Sequence, residues 1–347
     1  MRKLKSIAVC ALCLCLLLGL AGCAAAQRPL RVTLVLKTET DVAEFWGMLL
    51  SGVRKAAEEY GVELTVRTSP TETAIDEQIE LIRQTAAEKP DVMILSAADY
   101  DRCAEATEEA IAAGIGVVAV DTDVNAEGRA CFVGSNNYQI GQEMGSQMAS
   151  YLPEGGKVAV IQHMLTTTTG IDRTRGVLDA LNEAGNIDIL GSFCCDNSTE
   201  QARAITTELL SEDPEIRGFV CTNEVCNVGA ANALVELGMG GKVFVVGCDN
   251  SQRQIALLLL IVGPIGGKAG LQIVWHGVSL LGRVDAAGRY GGAGQAALRA
   301  ALHGPTGRGS GLRPERPAPC AAQSGSVSNY TTGGTKRKAP EGAFSLQ

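Results

Sequence analysis

Aromatic and polar residues recur in this chain where predicted strands end, and their chemistry suits ligand binding. Phe45 and Trp46 begin a predicted helix, after a polar loop that follows a buried apolar strand. Asp121 and Asp249 each end a later predicted strand, and Asn223 opens a helix after another. Carboxylates accept hydrogen bonds, amides donate and accept them, and flat rings contact apolar surfaces. Each residue also has a structural interpretation, because large rings are commonly core and Asp and Asn commonly form turns or caps.

Histidine, cysteine and glycine patterns do not indicate catalysis or a metal site. The chain has three histidines, and none lies in a metal-ligand or catalytic-triad pattern. His163 follows a predicted strand, where a hydrogen-bonded loop histidine is the simpler interpretation than a cleft-facing one. Cys221 and Cys226 lie five apart without a nearby histidine, and residues 238–241 lack the lysine and serine of a phosphate-binding loop. We therefore expect no catalytic residue, no metal and no cofactor.

A repeated strand–helix pattern must position the strand-end residues. Residues 32–36 predict a buried strand, apolar residues from Phe45 to Tyr60 recur at helical spacing, and Gly61 predicts a left-handed helix end. Alternating strands and helices favour parallel, doubly wound sheets, in which ligands bind beyond the carboxyl ends of the strands. The later strands are predicted at residues 62–66, 92–95, 116–120, 157–161, 187–193, 219–221 and 242–247. A helix is predicted over residues 171–184, and Ser198 is predicted to cap the next one, with Gln201 three residues on as in a capping box.

The first 22 residues predict an export signal. A basic start precedes an apolar segment over residues 7–20, which is too short to span a bilayer comfortably. The segment leads into Leu-Ala-Gly-Cys ending at Cys23, which resembles the lipobox of bacterial lipoproteins. That resemblance implies cleavage before Cys23, lipidation of Cys23 and a short tether over residues 23–29. An ordinary signal peptide with a chance cysteine is the alternative.

The chain has twelve cysteines, of which eight remain beyond the signal and Cys23. Most of these eight fall in or beside predicted strands, where free cysteine behaves as a small apolar residue. Adjacent Cys194 and Cys195 are the pair whose redox state is of most interest. Many free thiols in an exported protein favour a reducing habitat.

Several motifs, taken in order and spacing, resemble one known family. They run from the Phe45-Trp46 pair through the Lys-Pro-Asp at Asp91 and the GIGVVAVD that ends at Asp121 to FVGSNNYQIGQEMG at residues 132–145. Together they are similar to the sugar-binding proteins of bacterial ABC importers, of the ribose- and galactose-type periplasmic group. The resemblance implies an α/β fold of two doubly wound, Rossmann-like parallel-sheet lobes around a cleft. We expect the lobes at residues 30–133 and 134–259, with the second incomplete.

The resemblance also implies which residues bind ligand. A sugar presents many hydroxyls to carboxylate, amide and guanidinium groups, and an apolar C–H face to an aromatic ring. Two departures leave the sugar open: Cys195 precedes Asp196 where the family commonly has an aromatic residue, and Thr122 stands where it often has a polar or basic partner for Asp121. The expected ligand-binding residues are Phe45, Trp46, Asp121, Arg175 (in RTRG), Asn223 (in CTNE) and Asp249.

The expected partners follow from the same resemblance. The chain would act as a monomer at the cell envelope, exported and lipid-anchored, and would deliver a small sugar to the permease of an ABC importer. A receptor that presents bound sugar to a membrane signalling partner is the alternative. A regulator of the lac-repressor type shares the fold, but an export signal stands where its DNA-binding headpiece would be, so we expect no nucleic acid.

The composition changes after residue 259, and we expect an aberrant Gly/Arg/Pro-rich tail at residues 260–347. Residues 256–347 carry ten Lys and Arg against three Asp and Glu, whereas the whole chain has a net charge of −8. Periodicity is lost there, which predicts disorder, although the resemblance requires further strands and helices. A shifted reading frame would explain this, because the codons for residues 274–279 permit Phe-Gly-Met-Gly-Tyr in another frame, similar to the family's segment at this place. A natural divergent tail or a fusion is the alternative.

Overall fold

The computed structural model describes residues 28–254 and 256–257, together with the backbone of Leu271–Ile273. Its first sheet is parallel, with strand order β2-β1-β3-β4-β5. The strands are β1 (Arg31–Leu36), β2 (Glu63–Thr68), β3 (Val92–Leu95), β4 (Gly116–Val120) and β5 (Cys131–Val133). The helices that alternate with them are α1 (Glu44–Tyr60), α2 (Ile75–Ala87) and α3 (Ala104–Ala112).

The second sheet is also parallel, with strand order β10-β9-β8-β6-β7. Its strands are β6 (Gly156–Gln162), β7 (Ile187–Cys194), β8 (Ile216–Cys221), β9 (Phe244–Gly247) and β10 (Leu271–Ile273). Its helices are α4 (Asn137–Tyr151), α5 (Thr168–Ala184), α6 (Thr199–Glu212) and α7 (Glu224–Glu236). The predicted α/β class with two parallel sheets is confirmed.

Strand alternation places core residues on both faces of each sheet. In β1, Leu34 and Leu36 pack with α1 residues, while Val35 packs in the opposite layer with Ile82 of α2. In β6, Val160 packs with residues of α4 and α5, and Ile161 packs with residues of α6 and α7. Helices therefore cover both faces, which is why these strands are almost continuously apolar in sequence.

Local capping residues set several helix ends as predicted. Gly61 ends α1 in the left-handed region with φ 63°, where glycine has no steric penalty. Ser198 caps α6, and its side chain accepts a hydrogen bond from the Gln201 amide. One boundary was wrong: α5, predicted from Ile171, begins at Thr168, because the Thr167 side chain caps it by accepting from the Gly170 amide.

Hydrogen bonds join the two lobes at one rim of the cleft. The loop after β6 supplies the Thr166 carbonyl, which accepts from the Tyr100 amide at 2.9 Å. Thr166 Oγ1 donates to the Ala98 carbonyl at 2.8 Å, and Thr168 Oγ1 accepts from the Asp123 amide at 3.0 Å. These contacts hold the carboxyl ends of the two sheets face to face.

The predicted signal segment, Cys23 and most of the predicted tail lie outside the described residues. One short strand, Leu271–Ile273, falls inside the segment whose composition predicted no regular structure, and it pairs with β9. Among the helices that the structure describes, none is both long enough and apolar enough to cross a bilayer.

Candidate ligand-binding site

A cavity lies between the lobes at the carboxyl ends of the strands. The space between its walls is about 470 Å³, including the part open to solvent. Five of the six predicted ligand-binding residues line it, and the structure brings them together from distant parts of the chain: Phe45, Trp46, Asp121, Asn223 and Asp249.

Phe45 and Trp46 form an aromatic wall on the first-lobe side. Their ring centroids lie 5.0 Å apart with an interplanar angle of 81°, an edge-to-face arrangement. Both residues lie in the first turn of α1. Trp46 is buried in the core of the first lobe, and Phe45 is half-buried against the same cluster. Both rings therefore belong to the core and also line the cavity.

A buried charged cluster adjoins this wall. Lys37 Nζ lies 3.1 Å from Glu72 Oε2, 3.7 Å from Asp121 Oδ2 and 5.4 Å from the centroid of the Trp46 ring. Burial raises the pKa of Glu72 and that of Asp121, and the Lys37 ammonium opposes both shifts. Lys37 was missed in the sequence although it directly follows β1; the strand-end rule that found Asp121 applies equally to it.

Asp121 and Asp249 occupy the same kind of backbone corner in the two lobes. Asp121 has φ 63° and Asp249 has φ 71°, the left-handed region that few residues other than glycine adopt. Asp121 follows β4, and its amide donates to the Val133 carbonyl at 3.0 Å. Asp249 follows β9, and its Oδ2 accepts from the Glu224 amide at 2.9 Å. Such backbone strain is commonly found at ligand sites.

Two amides extend the second-lobe side of the cavity. Asn223 caps α7, because its Oδ1 accepts from the Cys226 amide at 3.0 Å. Its Nδ2 donates to Asn197 Oδ1 at 2.8 Å. The Asn223 amide carries two N–H donors, so one of them is left for a ligand in addition to the cap. The capping role and the cavity-lining position therefore coexist in Asn223.

The arginine at the cavity is Arg173, and the prediction of Arg175 is corrected. Arg173 Nε donates to Asn137 Oδ1 at 3.0 Å, and its Nη1 donates to the Thr222 carbonyl at 2.8 Å. Arg175 is 60% exposed, pairs with Asp172 at 3.1 Å and lies over the Tyr138 ring. Two helix positions apart correspond to about 200° of rotation, so the two arginines point to opposite sides of α5.

Close packing of α4 against α5 fixes Arg173. A Cβ added at Gly141 would overlap the Arg173 carbonyl, and one at Gly176 would overlap the Tyr138 carbonyl. A Cβ at Gly145 would lie 2.6 Å from the Val177 carbonyl. The two backbones therefore touch, and α5 presents Arg173 to the cavity from a rigid base.

His163 is a satisfied loop histidine that also lines the cavity. Its Nδ1 lies 2.7 Å from Thr222 Oγ1, and its Nε2 lies 3.1 Å from Thr169 Oγ1. Burial lowers the pKa of His163 well below its ordinary value, and the charges of Arg173 and Lys37 add to this. The imidazole is therefore neutral at pH 7 and holds the loop in place.

The lining lacks an aromatic partner on the second-lobe side. Among the described residues around the cavity, the large aromatic side chains are those of Phe45 and Trp46, both in the first lobe. Cys195, where the family commonly has an aromatic residue, is fully buried in the second-lobe core. In the described part of the chain, no cluster of His, Cys, Asp and Glu is arranged to hold a metal ion.

Comparison with known proteins points to one family. A family model described as a periplasmic binding protein domain matches residues 32–272. The D-ribose/D-allose-binding protein of Pseudomonas aeruginosa is 28% identical over 230 residues, which cover 64% of this chain and 71% of the relative.

Solved structures agree with the sequence comparison. A sugar transporter from Clostridium phytofermentans is 29% identical, with a TM-score of 0.61 over 64% of this chain and 82% of that one. An ABC transporter periplasmic solute-binding protein from Actinobacillus succinogenes with bound D-allose is 27% identical, with a TM-score of 0.60 over 65% and 81%. The family model covers most of the described residues, and it describes a binding protein and not an enzyme. The chain belongs to the periplasmic binding protein family.

Proposed function

We propose that this protein binds a monosaccharide between its two lobes and delivers it to an ABC importer. The observation that carries the proposal is the composition of the inter-lobe cavity. Aromatic rings and a Lys–carboxylate cluster come from one lobe, and an arginine, two amides and a carboxylate come from the other. This combination matches a molecule that has one apolar face and hydroxyls around its edge.

Each group has a distinct part in the proposed complex. Phe45 and Trp46 contact the apolar C–H face of the sugar. Asp121 and Asp249 accept hydrogen bonds from hydroxyls, and Arg173 donates to hydroxyl oxygens. Lys37, Asn197 and Asn223 add to these donors and acceptors. Arg175 has no place in this complex, because it lies on the opposite side of α5.

The names of two relatives support a sugar class for the ligand. The names of the Pseudomonas protein and of the Actinobacillus structure include D-allose, and the former also includes D-ribose. We infer that an aldopentose or aldohexose of this kind is the ligand here. Since the aromatic wall is on one side of the cavity, it suits a sugar whose other face is held mainly by hydrogen bonds.

Binding calorimetry with Asp249 variants tests the site. Asp249→Ala removes an acceptor and leaves buried partners unpaired, which should cost about 2–5 kcal/mol of binding free energy. Asp249→Asn keeps the shape and should cost less. An affinity for both variants equal to that of the unmodified chain would exclude Asp249 from the site.

A lipid anchor completes the proposed location. Lipidation of Cys23 would hold the protein at the extracytoplasmic face of a membrane, beside the importer that receives the sugar. The tether at residues 23–29 would leave the lobes free to move.

The tail is proposed to weaken binding in this chain. If a shifted frame replaced the family's continuation after residue 257, the family's later elements are missing from this product. Sequencing the gene tests this proposal: a long family-like continuation in an alternative frame is expected, and its absence would contradict the frameshift.

Presentation of bound sugar to a signalling partner is the second candidate. It would use the same cavity and differ only in the membrane partner.

A further inference from the structure

Two buried thiols meet directly behind the amide pair of the cavity. Cys195 Sγ lies 3.4 Å from Cys226 Sγ, and both residues are 0% exposed. Cys195 directly follows β7, whereas Cys226 lies in the first turn of α7. The neighbouring Cys194 takes another direction, because its Sγ donates to Asp196 Oδ1 at 3.3 Å. The structure therefore pairs Cys195 with Cys226 and not with the adjacent cysteine.

The thiols and the cavity amides connect the same two segments. Asn197 lies two residues after Cys195, and Asn223 lies three residues before Cys226. The Cys226 amide donates to Asn223 Oδ1 at 3.0 Å, and Asn223 Nδ2 donates to Asn197 Oδ1 at 2.8 Å. A bond between the two sulfurs would thus link covalently the segments that the amides already link by hydrogen bonding.

We propose that Cys195 and Cys226 form a disulfide when the folding chain meets an external disulfide oxidant. The Cys195 thiolate attacks one sulfur of the oxidant, expels one oxidant thiolate and forms a mixed disulfide. The Cys226 thiolate then attacks the Cys195 sulfur and expels the second oxidant thiolate. The protein loses two electrons and two protons, which leave as two reduced thiols of the oxidant.

Geometry and burial define when this bond forms. The sulfurs must approach from 3.4 Å to about 2.05 Å, a shift that small movements of the loop after β7 supply. Since both thiols are fully buried in the folded chain, the exchange takes place during folding, before the core closes.

Peptide mapping of the full chain tests the proposal without reference to ligand binding. The reduced, unfolded chain is refolded in a mixture of reduced and oxidised glutathione, and the remaining thiols are then alkylated in acidified denaturant, where buried thiols are also reached and exchange is stopped. Proteolysis without reductant, followed by mass spectrometry, should yield one linked peptide pair that contains Cys195 and Cys226. Circular dichroism confirms that the chain has folded.

Two variants serve as controls. Cys226→Ala should abolish the linked pair, whereas Cys221→Ala, which removes another buried thiol of the same core, should retain it. The proposal is overturned if the folded chain carries alkyl groups on both Cys195 and Cys226. It is also overturned if Cys195 is joined to Cys194 or to any cysteine other than Cys226.

Discussion

Lys37 Nζ lies 3.1 Å from Glu72 Oε2, and the two side chains are only 3% and 4% exposed. Burial raises the pKa of Glu72 above its ordinary value of 4.5, with Lys37 as the main opposing influence. This pair sits beside Asp121 and the Trp46 ring, so its ionisation affects both the stability of the first lobe and the charge of the cavity.

The raised pKa of Glu72 predicts a pH-dependent effect of Glu72→Gln. A carboxyl whose pKa is higher in the folded state binds more protons there, so its stabilising contribution is present below about pH 4.5 and lost as the pH rises through the folded pKa. The unmodified chain therefore loses free energy of unfolding as the pH rises from about 4.5 to the folded pKa of Glu72, and Glu72→Gln does not. The stability of Glu72→Gln relative to the unmodified chain should rise over that interval. Urea titrations across pH 4–8 measure this. A relative loss of stability in the variant with rising pH would show instead that the pKa of Glu72 is lowered on folding.

Arg173 and Arg175 provide a matched pair for the site. Arg173→Ala should weaken sugar binding by about 2–5 kcal/mol, because Arg173 faces the cavity and bonds Asn137 and the Thr222 carbonyl. Arg175→Ala should leave the affinity within about twofold, since its pairing with Asp172 is at the surface. Calorimetry on both variants, with circular dichroism to check folding, decides between the two positions. A larger loss at Arg175 would contradict the geometry of α5.

Two Gly→Ala substitutions should have opposite effects on stability, because Gly176 lies at the contact between α4 and α5 whereas Gly47 does not. At Gly176 an added methyl group would overlap the Tyr138 carbonyl, and the overpacking should cost about 1–3 kcal/mol of unfolding free energy. At Gly47, in α1, the nearest atom to a new Cβ is the Thr40 carbonyl at 3.8 Å, so alanine should stabilise by about 0.5–1 kcal/mol. Denaturant unfolding of both variants measures the difference. Stabilisation by Gly176→Ala, like that expected of Gly47→Ala, would contradict the close backbone packing of α4 and α5.

The proposed lipid anchor makes an independent prediction. Cys23→Ser should abolish incorporation of labelled palmitate and release the protein from the membrane fraction, because serine lacks the thiol that receives the lipid. Replacement of Cys194 by Ser, outside the lipobox, is the control and should retain the label. Undiminished labelling in Cys23→Ser would contradict the anchor.

Much of the fold was predictable because both faces of each sheet are covered. Buried strands such as β1 and β4 therefore form short apolar runs, and glycine at position 61 and serine at position 198 mark helix ends through backbone and side-chain chemistry. Helix starts were less accurate: the Thr167 cap lies within a run of threonines, residues 166–169, in which no single position stands out.

The site was predictable where a polar residue stands at the end of a strand. Asp121 directly follows β4, and Asp249 lies two residues beyond β9. Lys37 directly follows β1 in the same way, but the polar residues after it favour a loop. Glu72 and Asn197 are brought to the cavity by loop conformation, which spacing along the chain does not encode. Choosing between Arg173 and Arg175 required the rotation of α5 about its axis, which depends on glycine contacts with α4.

Sugar binding by the folded protein is the most direct test of the account. Titration calorimetry would compare D-allose, D-ribose and other aldoses, using both the full chain and the same chain with residues after 257 replaced by the alternative-frame continuation. The account predicts saturable binding of at least one of these sugars, tighter in the second protein, and lost in Arg173→Ala but not in Arg175→Ala. Absence of binding of every sugar to both folded proteins would contradict it.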